Sequence, residues 1–507
     1  MALILGIDIG THESKGVVVT ATGQIIATAT VAHATSSPRP GWAEHDADAV
    51  WWHDFVALCR ELLSHDSVSV VDIAAIACSA IGPCVLPVDG DGRPLRPAIL
   101  YGIDTRAADE TRWLTEQLGT DWILRETGAA LSAQAAGPKI LWLRHHEPEV
   151  WGKTRRLMTS TSYLVFRLTG RVVIDHYTAA AFGPLYNVHS RAWDPTGLAL
   201  VCGVDLLPEI DWSAAIAGHV QRDAARATGL REGTPVIVGT ADAAAEATAA
   251  GVRDPGDTMV MYGSSGFLIA VCANLVASPV HWSTTYLDPG TFALTAGMST
   301  TGALLTWFRD TLGPSSGGIA TDGAFAVLAD EARGIPAGAD GLVALPYFSG
   351  ERSPINDPHA RGGILGLTLT HTRGHVYRAL IEGIGFGLRQ NLDAMVEAGA
   401  PIQRIVAIGG GTVDDLWVQT VSDTTGWRQE VQRTPGAALG DTMLAAAGVG
   451  LVPDLQATRG WIRDGPIIEP DDGVRAVYEE RYALYRSFYE DTAPIAHALA
   501  SASDANL

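Results

Sequence analysis

Residues Pro235–Gly251 read PVIVGTADAAAEATAAG, and the interpretation of the whole chain depends on this stretch. Its apolar start, Pro235–Val238, predicts a short buried strand, and Gly239-Thr240-Ala241 predicts a tight turn. The alanine-rich run after the turn predicts a helix that begins at Asp242. By residue type alone Asp242 is typical of a helix N-cap, because a carboxylate accepts hydrogen bonds from the first free amides. A catalytic acid or base is the alternative interpretation.

Length, charge and cysteine usage limit the class of protein. The 507 residues predict two to four domains at roughly 150 residues each. A net charge of −21 argues against nucleic acid or an anionic membrane as a partner. The apolar run Ala2–Ile7 is too short for a signal peptide or a membrane span, so we expect a cytoplasmic protein. Scattered cysteines without metal-ligand spacing predict buried free thiols: Cys59, Cys78, Cys84, Cys202 and Cys272.

The first glycine turn, Gly10-Thr11-His12-Glu13-Ser14, follows a predicted strand at Leu3–Ile9. We expect the amides of Gly10 and Thr11 to be exposed, and together with Lys15 they could cradle a phosphate. Asp8, at the end of the strand, could hold a divalent cation through water. A plain hairpin with a solvated lysine is the competing interpretation.

Two further glycine turns repeat this layout. Gly263-Ser264-Ser265-Gly266 lies between two predicted strands, and Gly409-Gly410-Gly411-Thr412 joins a strand to a helix. The second of these is the better shaped to accept a nucleotide. Such repetition suggests duplicated domains that face each other across a cleft.

Other segments carry single features. Asp104 and Arg106 follow the predicted strand Pro97–Tyr101, where they could bind hydroxyl groups or form a solvent-exposed helix cap. The long predicted helix Gly374–Ala398 contains three glycines, each of which costs roughly 1 kcal/mol relative to alanine. We therefore expect another backbone to pack closely against Gly383, Gly385 and Gly387.

In this order the motifs resemble the FGGY carbohydrate kinases, and within them the xylulokinase (pentulose kinase) type. The likeness extends from Leu3 to about Val449. Each turn alone is weak evidence, whereas the ordered set is specific. The set comprises Gly6–Thr11 with Lys15, Pro97–Tyr101 with Asp104 and Arg106, Asp242, Gly263–Gly266, PYFSGERSPINDPHARG at Pro346–Gly362, Glu382-Gly383, GGGTVDDLWVQ at Gly409–Gln419, and GAALG at Gly436–Gly440.

The resemblance implies an α/β fold of two actin-like (ribonuclease-H-like) domains with the active site in the interdomain cleft. Residues 1–251 would form the sugar-binding N-terminal domain, and residues 252–507 the nucleotide-binding C-terminal domain with a helical tail. The implied reaction transfers the γ-phosphoryl group of ATP, with Mg²⁺, to a terminal hydroxyl of a ketose, with D-xylulose as the first expectation. Ribulose, erythritol, glycerol, gluconate or a signalling sugar are alternative acceptors, and a non-catalytic actin-like regulator is the non-enzyme alternative. Family members are often dimers, so a homodimer is also expected.

The resemblance also implies roles for single residues. Asp242 would be the catalytic base, and as a residue at a helix N-terminus it is expected to stay ionised because amides and the helix dipole favour the carboxylate. Asp8 would bind the metal ion, and the sugar would be bound by residues on the sugar side of the site, Tyr101, Asp104, Arg106 and Asp242. Phosphate and nucleotide would contact Gly10, Thr11, Lys15, Gly263, Ser264, Thr301, Gly302, Gly410, Gly411, Thr412 and Gln419.

Three positions depart from the usual xylulokinase pattern. Gly82 and Pro83 stand where a Met-His pair is usual, Ala243 stands where Asn is usual, and Tyr101 replaces a Trp. All three lie on the sugar side and remove polar contacts there, whereas the phosphate side is intact. The pattern therefore indicates a sugar kinase more firmly than it indicates the sugar, and a smaller or less polar ketose or a polyol is compatible with it.

Overall fold

A computed structural model describes residues 2–313, 321–433, 436–463 and 465–504. The chain forms two compact units. The first unit comprises Met1–Arg253, Cys272–Ala293 and Thr434–Arg463, and the second comprises Asp254–Val271, Leu294–Arg433 and Asp464–Leu507. Two later segments thus return to the first unit, and the division into domains 1–251 and 252–507 stays a prediction.

A twisted mixed sheet organises the first unit. Its strand order is β5-β6-β4-β1-β2-β3, and β7 also pairs with β4. The register places Asp8 beside Lys15 on one neighbouring strand and beside Ser79 on the other, and Ser79 is in turn opposite Thr240. The strands are Leu3–Ile9 (β1), Glu13–Thr20 (β2), Ile25–Ala32 (β3), Ile73–Ala80 (β4), Ile216–His219 (β5), Pro235–Ile237 (β6) and Thr240–Ala241 (β7).

The second unit repeats this arrangement. Its sheet contains the strand order β10-β9-β8-β11-β12-β13, in which β8 is antiparallel to β9 and parallel to β11. In the first unit β1 is likewise antiparallel to β2 and parallel to β4, so the predicted repeat is confirmed. The strands are Asp257–Tyr262 (β8), Gly266–Cys272 (β9), Phe292–Met298 (β10), Arg404–Ile408 (β11), Gln429–Val431 (β12) and Ile467–Ile468 (β13).

Helices cover both sheets, and among the described residues none of them is long and apolar enough to cross a membrane. The α-helices are His53–Leu63 (α1), Ala108–Leu118 (α2), Thr120–Thr127 (α3), Ala136–His146 (α4), Pro148–Lys153 (α5), Ser160–Thr169 (α6), His176–Ala180 (α7), Pro195–Val201 (α8), Arg222–Thr228 (α9), Asp242–Ala249 (α10), Gly302–Leu312 (α11), Thr321–Arg333 (α12), Arg373–Glu397 (α13), Asp415–Thr425 (α14), Ala437–Gly448 (α15) and Arg475–Asp504 (α16).

Short elements complete the fold. A π-helical turn, Ala47–Trp52, leads directly into α1. Two-stranded pairs are Glu44–His45 with Ala98–Ile99, Leu86–Val88 with Arg156–Met158, Val173–Asp175 with Glu209–Asp211, Tyr186–Asn187 with Ala192–Trp193, and Val343–Leu345 with Gly363–Leu365, and Trp282–Thr285 is a further strand. The 3₁₀ turns are Val70–Asp72, Val204–Leu206, Ala339–Gly341, Gly410–Val413 and Leu455–Trp461.

Glycines allow α15 to lie close to β1 and α10. A Cβ at Gly6 would stand 2.1 Å from the carbonyl oxygen of Ala438, and one at Gly440 would stand 1.8 Å from that of Ala245. In α13 a Cβ at Gly383 would come within 2.4 Å of the carbonyl oxygen of Ala344, which confirms the predicted close backbone approach at that glycine. A Cβ at Gly385 or Gly387 would instead meet the side chains of Thr424 or Met298, so the prediction of a close backbone is wrong at these two glycines. The contacts of α15 with β1 and α10 fix the position of α10, and therefore of Asp242 at its start.

Candidate active site

Asp242 is the first residue of α10 and lies directly after β7. The N-cap position belongs to Ala241, and the Oδ1 atom of Asp242 accepts from the amide of Ala243 at 2.8 Å. An N-cap side chain would accept from an amide two or three residues further on, so the N-cap interpretation is wrong. The carboxylate is therefore not required to begin the helix.

The strand before Asp242 is held by a buried aspartate. Asp175 Oδ2 accepts from the hydroxyl of Thr240 at 2.7 Å and from that of Ser213 at 3.2 Å. Thr161 Oγ1 donates to the carbonyl oxygen of Thr240 at 3.0 Å. The residue two positions before Asp242 is thus fixed through its side chain and its backbone. Sequence reasoning missed this network, because Asp175 has no distinctive local motif.

A serine joins two carboxyl groups next to Asp242. Ser79 Oγ lies 3.0 Å from Asp8 Oδ1 and 2.8 Å from Asp441 Oδ2, and the Ser79 amide also donates to Asp441 Oδ2 at 2.9 Å. A hydroxyl has one hydrogen, so one of the two carboxyl groups must carry a proton if both contacts are hydrogen bonds. The other oxygen of Asp441, Oδ1, is buried and has no hydrogen-bond partner within the part of the chain that the structure describes.

Asp8, Asp242, Glu246 and Asp441 form one carboxyl cluster. Burial, followed by the charges of Asp242 and Glu246, raises the pKa of Asp8 well above its usual value. Burial and the charge of Asp8 do the same to the pKa of Asp441. Burial and then the charge of Asp242 raise the pKa of Glu246 to about 7. Burial makes the largest contribution to each shift, and repulsion between the carboxyl groups adds to it.

Burial raises the pKa of Asp242 to about 6, although the amide of Ala243 opposes the shift. The expectation that the helix N-terminus keeps Asp242 ionised is therefore wrong, because burial raises the pKa by more than the hydrogen bond from the Ala243 amide lowers it. At pH 7 the carboxyl is still about nine-tenths ionised, and it is a stronger base than an ordinary aspartate. Sequence reasoning missed Glu246 and Asp441, although Glu246 follows Asp242 by one helical turn and Asp441 directly follows the GAALG motif.

The first glycine turn differs in one respect from the expectation. The amide of Gly10 donates to the carbonyl oxygen of Glu13 at 3.1 Å and is therefore used inside the turn. Thr11 Oγ1 lies 2.9 Å from the hydroxyl of Tyr101, which links the turn to the predicted sugar side. Lys15 is half-exposed and pairs with Glu13 at 2.8 Å. The phosphate-binding roles of these residues stay predictions.

Asp104 and Arg106 form a buried ion pair. Nε of Arg106 lies 2.9 and 3.0 Å from the two carboxylate oxygens of Asp104, and Nη1 donates to Glu44 at 2.8 Å. Both side chains are 0% exposed, so the solvent-exposed helix cap is wrong. A sugar-binding role for this pair stays a prediction. Gly82 lies beside the strand that precedes Asp242, since a Cβ there would be 3.5 Å from that of Ala241.

The second unit brings four predicted nucleotide residues together. The carbonyl oxygen of Gly263 accepts from Thr301 Oγ1 at 2.9 Å and from the amide of Gly302 at 3.0 Å. The carbonyl oxygen of Ser264 accepts from the amide of Thr301 at 3.0 Å. A Cβ at Gly302 would lie 2.6 Å from the oxygen of Gly263, so a glycine is required there.

The Gly409–Thr412 turn lies at the same edge of that sheet. Strands β8 and β11 are parallel neighbours, and Gly263 and Gly409 each follow within one residue of their ends. Gly409 has φ +97°, a conformation that favours glycine, and Thr412 Oγ1 donates to its carbonyl oxygen at 2.8 Å. Gln419 lies further on, on α14, where its amide donates to Asp423 at 2.7 Å. The nucleotide-binding roles of Gly410, Gly411, Thr412 and Gln419 stay predictions.

Comparison with known proteins identifies the class. Residues 3–249 match the N-terminal domain of the FGGY family of carbohydrate kinases, and residues 258–449 match its C-terminal domain. The chain belongs to this family, so it is a carbohydrate kinase, for which ATP and a sugar are the substrates. The predicted two-domain α/β fold of the actin-like type is confirmed, whereas the placement of the active site between the domains stays a prediction.

Its relatives are similar over their whole length. The chain is 30% identical to the xylulose kinase of Bacillus subtilis (strain 168), and the match covers 99% of each protein. It is also 30% identical to the xylulose kinase of Escherichia coli (strain K12), across 97% of this chain and 100% of that protein. The crystal structure of xylulose kinase from Rhodospirillum rubrum matches with a TM-score of 0.89 and 32% identity, and it covers 98% of this chain and 100% of its own.

Proposed function

We propose that the protein phosphorylates D-xylulose with ATP to give D-xylulose 5-phosphate and ADP. The full-length relatives described above are named as xylulose kinases, which supports this acceptor. The observation that carries the chemistry is the environment of Asp242. Its carboxyl lies beside Asp8, outside any capping role, and burial raises its pKa to about 6.

In the proposed reaction the terminal hydroxyl oxygen of the sugar attacks the γ-phosphorus of ATP. The bond from that phosphorus to the bridging oxygen breaks, ADP leaves, and the hydroxyl proton passes to Asp242. A proton acceptor is most effective when its pKa is near the working pH, and the value of about 6 meets this condition. The fixed Thr240 and the rigid start of α10 would hold the carboxylate in line with the transferring group.

The carboxyl cluster fits a divalent cation. The buried Oδ1 of Asp441 has no partner in the described parts of the chain, and burial together with repulsion between the carboxyl groups raises the pKa values of Asp8 and Asp441. Among the described residues no three carboxyl, histidine or cysteine side chains form a direct metal cage. We therefore propose that Asp8 holds Mg²⁺ through water while ATP phosphates supply other ligands. Bound there, the ion would neutralise charge on the transferring phosphoryl group.

On the nucleotide side, the proposal assigns Gly263, Ser264, Thr301 and Gly302 to ATP, because one set of hydrogen bonds gathers them. The Gly409–Thr412 turn at the same sheet edge supports a shared site, in keeping with phosphate binding at glycine turns. The proposal includes a cytoplasmic enzyme, since ATP is available there and all five cysteines are free and buried. A homodimer is also proposed, from the family resemblance.

The acceptor is tested with purified protein, ATP and Mg²⁺. Acceptor-dependent ADP release is measured for D-xylulose, ribulose, erythritol, glycerol and gluconate, and kcat/KM is compared. We expect D-xylulose to give the highest value. Gly82, Pro83 and Ala243 remove usual polar contacts, so a higher kcat/KM with another acceptor would replace D-xylulose while leaving the kinase assignment intact. ATP binding without release of ADP for any acceptor would favour the non-catalytic regulator.

A further inference from the structure

A buried histidine–aspartate pair lies under the first glycine turn and has no role in the reaction described so far. His33 follows β3, and its side chain is 6% exposed, while that of Asp54 on α1 is 3% exposed. Nδ1 of His33 is 2.7 Å from Asp54 Oδ2, and Nε2 is 3.2 Å from the carbonyl oxygen of Gly10. The imidazole thus bridges a helix and the turn.

Two partners of His33 are acceptors, Asp54 Oδ2 and the carbonyl oxygen of Gly10. The third, Ser14 Oγ at 3.4 Å from Nδ1, gives its single hydrogen to Asp54. A carbonyl oxygen has no hydrogen to give, and Asp54 behaves as an ionised carboxylate. Burial raises the pKa of Asp54, but hydrogen bonds from His33, Ser14 and His53 outweigh burial and leave that pKa below its usual value. Ser14 Oγ donates to the same Oδ2 at 2.8 Å. For both contacts to be hydrogen bonds, His33 must donate from both ring nitrogens, and only the imidazolium can do so.

The neighbouring histidine has the opposite arrangement. Trp51 Nε1 donates to Nδ1 of His45 at 3.0 Å, so that nitrogen carries no hydrogen. Nε2 of His45 is then free to donate to Thr35 Oγ1 at 3.0 Å, and Thr35 donates to the carbonyl oxygen of Thr11 at 2.7 Å. Burial lowers the pKa of His45 to about 4, in agreement with a neutral ring. The ring centroids of His33 and His45 are 5.2 Å apart.

These two chains of contacts orient the amides of the turn. In a planar trans peptide the C=O and the following N–H point in opposite directions. A bond from His33 to the oxygen of Gly10 therefore aims the amide of Thr11 away from His33. The bond from Thr35 to the oxygen of Thr11 aims the amide of His12 in the same way. Both amides would face an anion on the far side of the turn.

We propose that His33 is a positioning residue for the kinase reaction. Its imidazolium ring, hydrogen-bonded to Asp54, holds the Gly10 carbonyl and places a positive charge under the first glycine turn. The inference rests on the proposed function only in that this turn receives ATP phosphates. In a chain with net charge −21, a buried cation there opposes the surrounding field. The titratable groups around it are Asp54, His45, His53 and His12.

The test compares His33→Gln with wild type and with His53→Gln. His53 is an exposed residue that contacts the other oxygen of Asp54 at 3.2 Å, so it is a matched control. Calorimetry gives the affinity for MgADP and, separately, for the sugar between pH 5.5 and 8.5. We expect His33→Gln to weaken MgADP binding about tenfold at the acidic end, the usual effect of losing a hydrogen bond from a charged group.

Sugar affinity should change less than about twofold in His33→Gln, and His53→Gln should match wild type in both measurements, since exposed substitutions of this kind have small effects. Equal loss of both affinities, or unchanged nucleotide affinity at every pH, would overturn the inference. Nitrogen-15 NMR of wild-type histidines near pH 6 tests it without a substitution, and a single protonated nitrogen on His33 would contradict it. If wild type itself binds no MgADP, the proposed function fails instead.

Discussion

Asp441→Asn should stabilise the protein, and by an amount that depends on pH. The Asp441 carboxyl is wholly buried, one of its oxygens has no partner in the described residues, and burial with the charge of Asp8 raises its pKa well above the usual value. The folded state therefore binds a proton that the unfolded chain releases near pH 4. As pH rises above 4, each further unit costs the folded state about 1.4 kcal/mol until the folded pKa is reached.

Between pH 4 and pH 7 the Asp441 carboxyl therefore destabilises the folded state by at most about 4 kcal/mol. Hydrogen bonds from the amide and hydroxyl of Ser79 offset part of it, so we expect a gain of about 1–3 kcal/mol for Asp441→Asn at pH 8. That gain corresponds to a rise of roughly 2–8 °C in the unfolding midpoint. At pH 4.5, close to the ordinary pKa of an aspartate, the same cost is at most about 1 kcal/mol, so the unfolding midpoints of the two proteins should lie much closer together.

Thermal unfolding is followed at pH 4.5 and pH 8 without nucleotide or metal, with Asp223→Asn as the control. Asp223 is 96% exposed and should show no such difference. A variant that is less stable than wild type at both pH values, or equally shifted at both, would refute the idea that burial and the charge of Asp8 raise the pKa of Asp441.

Three further outcomes follow from the same structure. With the pKa of Asp242 at about 6, only about a tenth of the carboxyl is ionised at pH 5, so kcat should rise roughly tenfold from pH 5 to pH 8, and a flat pH–rate profile would contradict Asp242 as base. Gly440→Ala should cost about 1–3 kcal/mol or more in denaturant unfolding, because its Cβ would meet the carbonyl oxygen of Ala245 at 1.8 Å. Gly460→Ala has open space around it and should be nearly neutral; equal effects at the two glycines would contradict the close packing of α10. Arg106→Lys loses the hydrogen bonds of the guanidinium to both oxygens of the buried Asp104 carboxylate and should lower the free energy of unfolding by about 2 kcal/mol. Unchanged denaturant unfolding would show that the ion pair does not stabilise the fold.

Local patterns in the sequence predicted much of the architecture. The strand before Gly239 and the helix from Asp242 are present, but the predicted tight turn between them is wrong, because Thr240–Ala241 pairs as a short strand with Ser79 and Ala80. The long glycine-bearing helix is Arg373–Glu397 against a predicted Gly374–Ala398. Periodicity and glycine placement are local signals, so one sequence can carry them. The close approach at Gly383 could also be predicted, because three glycines in a helix need a packing reason.

The parts of the site that sequence reasoning missed depend on distant residues. Ser79 and Asp441 are 362 positions apart, and only the folded sheet and α15 bring them together. The helix terminus predicts that Asp242 stays ionised, whereas burial raises its pKa, and burial is a tertiary property. Arg106 was expected near hydroxyl groups or solvent, but its partner Glu44 lies on a strand that no motif identified.

Phosphoryl transfer by Asp242→Asn tests most directly whether Asp242 accepts the proton of the sugar hydroxyl. Wild type and variant are incubated with ATP, Mg²⁺ and D-xylulose, and formation of the sugar phosphate is followed by phosphorus-31 NMR together with MgADP affinity by calorimetry. We expect the rate of phosphoryl transfer to fall by about 10²–10⁴ while MgADP affinity is retained, because only the proton acceptor is removed. A variant that forms D-xylulose 5-phosphate within about threefold of the wild-type rate would contradict it, since a general base contributes far more than that.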